Sequence, residues 1–389
     1  PSRFVLEARR EGLEMGGIVD FDVLDGLEEF WAASRLLDLK GCVGIESRVF
    51  VPEFSDREIN SPGEPGISYH MGTGFTSTDI PASAQAFLDN MRSTSAERNQ
   101  AMVKRVNEFL SPLVLDYDFD VLPLTPNGNA TERHLCLAYA RKAASMFPEE
   151  SDLRTFWSEK LGVAQEDIKD LPEGRPITDL IRAKTMKQGG VGYVKPDSGS
   201  FPKMAEMNEF SLLCGAIPTF TWLDGCSNGE QSIEELVEVG RSTGVAAFNI
   251  IPDRNYTPGQ KDQKLENLNQ VVKLTQDLGL PLLGGTEMNS PGQKFVDDFS
   301  SAELAPHHNL FLRGSWILHA HSTLQRYAGM GYLSDWAENQ FSGVESKNDF
   351  YASFGESFSP RGDRILQDSL NAEMGAGEVS ELAARAMSA

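Results

Sequence analysis

Six short apolar runs set the strongest limit on how this chain can fold. They are GGIVDFD (16–22), CVGIES (42–47), GISYHMG (66–72), AIPTFTW (216–222), VAAFNIIPDRN (245–255) and LPLLGGTEMN (280–289). Amphipathic stretches at 26–39, 201–214, 229–243 and 261–279 separate several of them. In the last stretch Leu265, Leu268, Val271, Val272 and Leu274 recur at near-helical spacing, and Gly279 stops the helix. Alternation of this kind predicts βα units and a largely parallel sheet, whose strands, buried on both faces, read as continuous apolar runs.

The middle of the chain differs. Residues 76–179 read as mostly helical and polar, with helices expected over 82–111 and from Thr131 to about Phe147. This predicts an insertion between barrel strands. The span 301–389 reads as a C-terminal extension ending in a helix, leaving 1–75 and 180–300 as the barrel core.

Each apolar run closes on residues able to do chemistry: Asp20 and Asp22, Glu46, His70, Thr221, Asp253-Arg254-Asn255, Glu287 and Asn289. In βα barrels side chains at the carboxyl ends of the strands converge on one mouth. The individual readings stay open. Asp25, three residues before Glu28, reads as the cap of helix 26–39. Glu46 closes a buried strand, so it is either ion-paired, with Arg48 or another base, or bound to metal. His70 is either a satisfied core histidine or a ligand. His134, in Glu132-Arg133-His134, is either a helix-surface residue or part of a site. His319 and His321 would share a face only on a strand.

Carboxylates mixed with imidazoles suit Zn, Mn or Fe. A metal would also draw an anionic substrate to a chain of net charge -22. Lys184, Lys187, Lys195, Arg133 and Arg254 are the basic candidates for holding such a substrate, although no glycine-rich phosphate loop is present. The absence of a long basic run argues against a nucleic-acid partner. The absence of a long apolar segment argues against a membrane span. Four scattered cysteines without CxxC spacing read as free thiols of a reducing compartment, so the expected location is cytoplasmic. The oligomeric state stays open.

The stretches ARREGLEMGGIVDFDVLDGLEEF, GCVGIES and GISYHMGTGF, followed by GNATERHLCLA, LLCGAIPTFTW and LGLPLLGGTEMN, resemble the PHP (polymerase and histidinol phosphatase) family over most of 1–290. The resemblance implies a PHP-like distorted (β/α)7 TIM-type barrel with a helical insertion and a C-terminal helical extension. It implies a phosphoesterase that acts on a small phosphorylated molecule through metal-bound hydroxide, with one or two ions of Mn, Zn or Fe. Asp20, Glu46, His70, His134 and Glu287 would be the metal ligands, with Asp20, Glu46 and Glu287 also catalytic. Arg133, Lys184, Lys187, Arg254 and Asn289 would bind substrate. The chain departs from the family at Phe21, which takes the place of a turn histidine, and at Thr221-Trp222, in place of His-Pro. Those departures leave two alternatives: a sugar isomerase or aldolase type of barrel enzyme, and a degenerate barrel that binds a ligand without catalysis.

Overall fold

A computed structural model of the chain describes residues 1–196, 199–255, 261–288 and 293–388. It divides into two compact units: Pro1–Phe87 with Pro202–Ala389, and Leu88–Phe201.

The first unit is built on a six-stranded sheet in the order β1 (Met15–Phe21), β2 (Lys40–Phe50), β3 (Ile67–Thr73), β4 (Ile217–Trp222), β5 (Ala247–Ile250) and β6 (Leu282–Gly284). Each apolar run of the sequence supplies one strand. Neighbours are parallel except at β3, which is antiparallel to both β2 and β4. The expectation of a largely parallel sheet therefore fails at one strand. The reason is the connection. Parallel neighbours need a crossover, usually a helix, whereas an antiparallel strand can return through a loop. The span between β2 and β3 holds only a single 3-10 turn, Pro52–Phe54.

Helix α1 (Ser2–Arg10) precedes β1, and α2 (Leu27–Leu37) links β1 to β2. Asp25 is expected as the cap of this helix, but the N-cap position of α2 is taken by Gly26. Every residue of β4 and of β5 is buried. β1 is an edge strand with Val19 and Asp20 exposed.

The long helix α3 (Ala82–Leu110) contains the unit boundary, and α4 (Glu132–Met146), α5 (Glu150–Leu161) and α6 (Arg175–Thr185) complete the second unit. Its core gathers Val106, Leu135, Tyr139, Trp157 and Ile181. The Tyr139 hydroxyl donates to Asn107 Oδ1 at 2.8 Å, which satisfies its one buried polar atom.

Back in the first unit, α7 (Met204–Leu213) packs on β3 and β4, α8 (Ile233–Ser242) precedes β5, and α9 (Lys261–Asp277) precedes β6. Residues 301–388 form α10 (His308–Ala328), α11 (Asp335–Gln340), α12 (Val344–Ser357), α13 (Asp363–Ser369) and α14 (Ala376–Ser388). This segment is part of the core of the first unit: Ile317, Leu318, Leu324, Tyr351 and Phe358 share one apolar cluster with Ile217, Ala247 and Leu283 of the strands.

Helix α10 explains the shape of the sheet. It touches both β2 and β6, which lie four places apart, so the sheet curls around it as a half-barrel. A Cβ on Gly314 would stand 2.1 Å from the carbonyl oxygen of Leu282, so only glycine lets the helix approach so near. His319 reaches Gly41 at the start of β2, and His321 reaches Gly74 just past β3. With β3 reversed, these points all mark the same end. α10 therefore closes the amino-terminal end of the parallel strands and leaves the carboxyl end as the mouth. Among the described residues, no helix is long and apolar enough to cross a membrane.

Candidate functional site at the carboxyl mouth

Side chains alternate between the two faces of a strand, and in-register neighbours share a face. Register thus sorts the candidates. Phe21 pairs with Glu46, Glu46 with Met71, and Met71 with Thr219. Two positions on lie Arg48, Tyr69, Thr221 and Asn249, on the same face. The opposite face carries Ser47, His70, Phe220 and Phe248, again in register. Phe220 and Phe248 stack there with centroids 5.3 Å apart. One face is polar around Glu46; the other is apolar and covered by helices.

Glu46 is the centre of the polar face. Its carboxyl makes no hydrogen bond or ion pair among the described residues. Burial pushes its pKa up to about 7, and the neighbouring charges of Asp22 and Glu287 add to the effect. Phe21, beside it in the register, places an aromatic ring where a polar partner would otherwise stand.

Asp22 is 3% exposed and sits just past β1 with a left-handed backbone, φ 61°. Aspartate tolerates that conformation better than most residues. Its amide donates to the Glu46 carbonyl oxygen at 2.8 Å, and its Oδ1 accepts from Ser47 Oγ at 2.6 Å. These bonds pin the end of β1 to β2 and keep a second carboxylate near Glu46. Glu287, past β6, forms a bidentate pair with Arg254, past β5, with Nε and Nη2 each 3.1 Å from an oxygen. The guanidinium is thereby held at the rim beside the acidic centre. Asp20 is exposed on the edge strand. Partial burial of its carboxyl raises its pKa, the terminal ammonium opposes this, and Asp25 adds to it.

The structure separates His70 from Glu46. His70 is fully buried on the apolar face, and its Nε2 lies 2.6 Å from Asn208 Oδ1 of α7. Burial lowers its pKa to about 4 despite that bond, so the ring is neutral. His134 belongs to the second unit. Its Nδ1 accepts the Thr131 backbone N–H at 3.0 Å and closes the capping box of α4. Arg133 is ion-paired with Asp179, and Lys187 with Glu132 at 2.9 Å, while Lys184 is exposed. These basic residues also lie in the second unit. Asn289 lies outside the described residues. Among the described residues, no group of three or more His, Cys, Asp or Glu side chains could hold a metal ion. The donor set therefore does not fit the implied metal: one imidazole faces the other way, another is spent on a helix cap, and Phe21 and Trp222 offer no ligand atom.

Sequence reasoning passed over Asn249 and gave Thr221 only as a strand end. Both are polar residues inside apolar runs at a period-two position, and that is the signal that finds them. Glu230 was also missed. It is 2% exposed, and its carboxylate accepts the N–H groups of Leu223, Asp224 and Gly225 at 2.8, 3.2 and 2.9 Å. Those bonds fix the loop after β4.

No family model and no curated protein matches the chain. Solved structures do resemble it in fold. An amidohydrolase from Chromobacterium violaceum, with bound sulfate and no metal, is 16% identical over 75% of this chain and 83% of its own, with a TM-score of 0.49. A candidate metal-dependent phosphoesterase from Bifidobacterium adolescentis is 16% identical over 79% of this chain and 90% of its own, also with a TM-score of 0.49.

Proposed function

We propose that the chain is a proton-transferring enzyme of the sugar-isomerase type, working at the acidic mouth with Glu46 as its acid–base group. One observation carries this reading. Glu46 is a half-buried carboxyl with no bonding partner among the described residues, level with the last residue of β1. A structural carboxylate so placed is normally paired. A general base needs a pKa near the working pH, and burial beside Asp22 and Glu287 moves Glu46 that way. The carboxylate would take a proton from the hydroxyl-bearing carbon beside a carbonyl group and return it to the former carbonyl carbon, while the hydroxyl proton passes to the former carbonyl oxygen. Arg254 at the rim would meet an anionic group of the substrate. A small phosphorylated molecule is the class implied by the sequence resemblance, with neither nucleic acid nor membrane as partner.

The same carboxylates favour a second reading, the divalent-metal phosphoesterase of PHP type. Asp22, Glu46 and Glu287 lie in one another's field, and a cation would relieve their repulsion. Against it stands the donor set described above.

One experiment separates the two. Turnover of a panel of phosphorylated sugars is followed from pH 5 to 9 in chelator-treated protein, with and without added Mn or Zn, beside Glu46→Gln. Metal-independent turnover with an inflection near pH 7, lost in Glu46→Gln, is the expected result. Turnover that requires metal would establish the second reading. Turnover retained in Glu46→Gln would overturn both.

A further inference from the structure

The polar face holds two more side chains without partners. Thr221 is 2% exposed, and its Oγ1 has no hydrogen-bond partner. Asn249 is 5% exposed, and its amide makes no hydrogen bond among the described residues. They are direct cross-strand neighbours on β4 and β5, on the face that carries Glu46. A Cβ on Gly285 would stand 2.9 Å from Asn249 Oδ1, so glycine there leaves room for the amide.

Buried polar groups are seldom left unbonded, because each costs the free energy of lost hydration. Other polar atoms of this sheet show the usual outcome. Thr73 and Thr219 bond each other at 2.7 Å, and Asn60 bonds the backbone of Thr221 and Tyr69. His70 Nδ1 and Trp222 Nε1 are also unbonded, but on the opposite face; Thr221 and Asn249 stand side by side on the face that carries Glu46.

We propose that Thr221 and Asn249 form a subsite for a vicinal diol, as carried by a sugar, on the face that carries the Glu46 carboxyl. Neighbouring strands lie about 4.8 Å apart. One hydroxyl and one amide at that spacing can each bond one of two adjacent hydroxyl groups. Both side chains donate and accept, which matches a neutral hydroxyl and not an anion. The subsite thus recognises the uncharged part of the substrate, while Arg254 meets its anionic part. It rests on the mouth being the site, and it names the substrate class.

The probes are ribose 5-phosphate and 2-deoxyribose 5-phosphate, which differ in one hydroxyl of the diol. Binding is measured by calorimetry on the full chain. The wild-type protein is expected to bind the ribose compound about tenfold more tightly, the worth of one or two hydrogen bonds. Thr221→Val keeps the side-chain shape and removes the hydroxyl. It should abolish the preference and raise Tm, because it relieves an unbonded buried group; a purely structural threonine would lower Tm on replacement. Asn249→Leu is the second variant and should lose the preference as well. Glu46→Gln should lose turnover and keep the preference. Equal binding of both probes to the wild-type protein, or no binding of either at the solubility limit, would overturn the subsite. A preference that Thr221→Val leaves intact would overturn it too. If the preference stands while Glu46→Gln keeps full turnover, the acid–base assignment fails and the subsite survives.

Discussion

The two ends of the curled sheet treat buried ionisable groups in opposite ways. At the closed end His321 is fully used: Nδ1 accepts the Tyr332 N–H at 2.9 Å, and Nε2 lies 3.2 Å from the Gly74 carbonyl oxygen. His319 reaches Gly41 through one ring nitrogen, stacks near Phe358 with centroids 6.5 Å apart, and leaves its Nε2 buried without a hydrogen-bond partner. Burial lowers both pKa values to about 4, which leaves neutral rings knitted into the backbone. At the open end burial acts just as strongly on Glu46, but no hydrogen bond satisfies it. Burial alone therefore does not mark a functional group.

The largest expected effect lies at the closed end. His321→Ala removes two buried hydrogen bonds and leaves a cavity, and should cost on the order of 3–5 kcal/mol in urea unfolding. A loss below about 1 kcal/mol would show that α10 does not hold this end shut. The pH dependence has a definite sign. Depressed histidine pKa values give stability that is complete above about pH 6.5 and falls as pH drops toward 4. Acid should loosen the closed end, which hydrogen exchange at β2 and α10 can follow.

Next comes the mouth. The raised Glu46 pKa means that its stabilising state is the protonated one, complete below about pH 4.5 and lost as pH rises through about 7. Glu46→Gln should therefore gain on the order of 3 kcal/mol over wild type at pH 8 and almost nothing at pH 4.5. A variant less stable than wild type at pH 8 would mean that Glu46 has a structural partner after all.

Glu230 sharpens the contrast, since burial also pushes its carboxyl up to about 7 while three backbone N–H groups pull the other way. Glu230→Gln escapes the same raised titration but cannot replace every one of those bonds, so at pH 8 it should gain about 1–2 kcal/mol less than Glu46→Gln does. A smaller gain for Glu230 than for Glu46 at one pH would separate a loop anchor from a binding group. Equal gains would remove the distinction.

The smallest effect is expected from Phe21→His. Its ring half-buries the edge of the mouth beside Glu46, so a polar ring there should draw the Glu46 titration downward, as carboxylate NMR would show. Stability should change by less than about 1 kcal/mol. Metal uptake by this variant from Mn or Zn, absent in wild type, would show that one imidazole is what the site lacks.

Much of the fold was legible because the rule behind it is local. Each strand arose from an apolar run, and helices such as Ala82–Leu110 and Lys261–Asp277 arose from the expected stretches. Placing Glu46 and Glu287 at one mouth also followed, since strand ends converge. His70 illustrates the limit. In sequence it closes an apolar run like any other candidate. Only the antiparallel register of β3, which sets it opposite Ser47 and not Glu46, turns it to the other face. A one-residue change of register reverses every side chain of a strand, and no local pattern reports it.

The same division holds for the chain as a whole. The sequence by itself determined the elements, the acidic character and the list of polar residues at strand ends, because periodicity and composition act over a few residues. The tertiary structure alone decided which of those residues meet. It reversed β3, set α10 as the floor, spent His134 on a helix cap, and left Glu46, Thr221 and Asn249 without partners on one face. Those outcomes depend on contacts between segments hundreds of residues apart, such as His319 on Gly41 and His321 on Gly74, and such contacts form only when the whole sheet has curled.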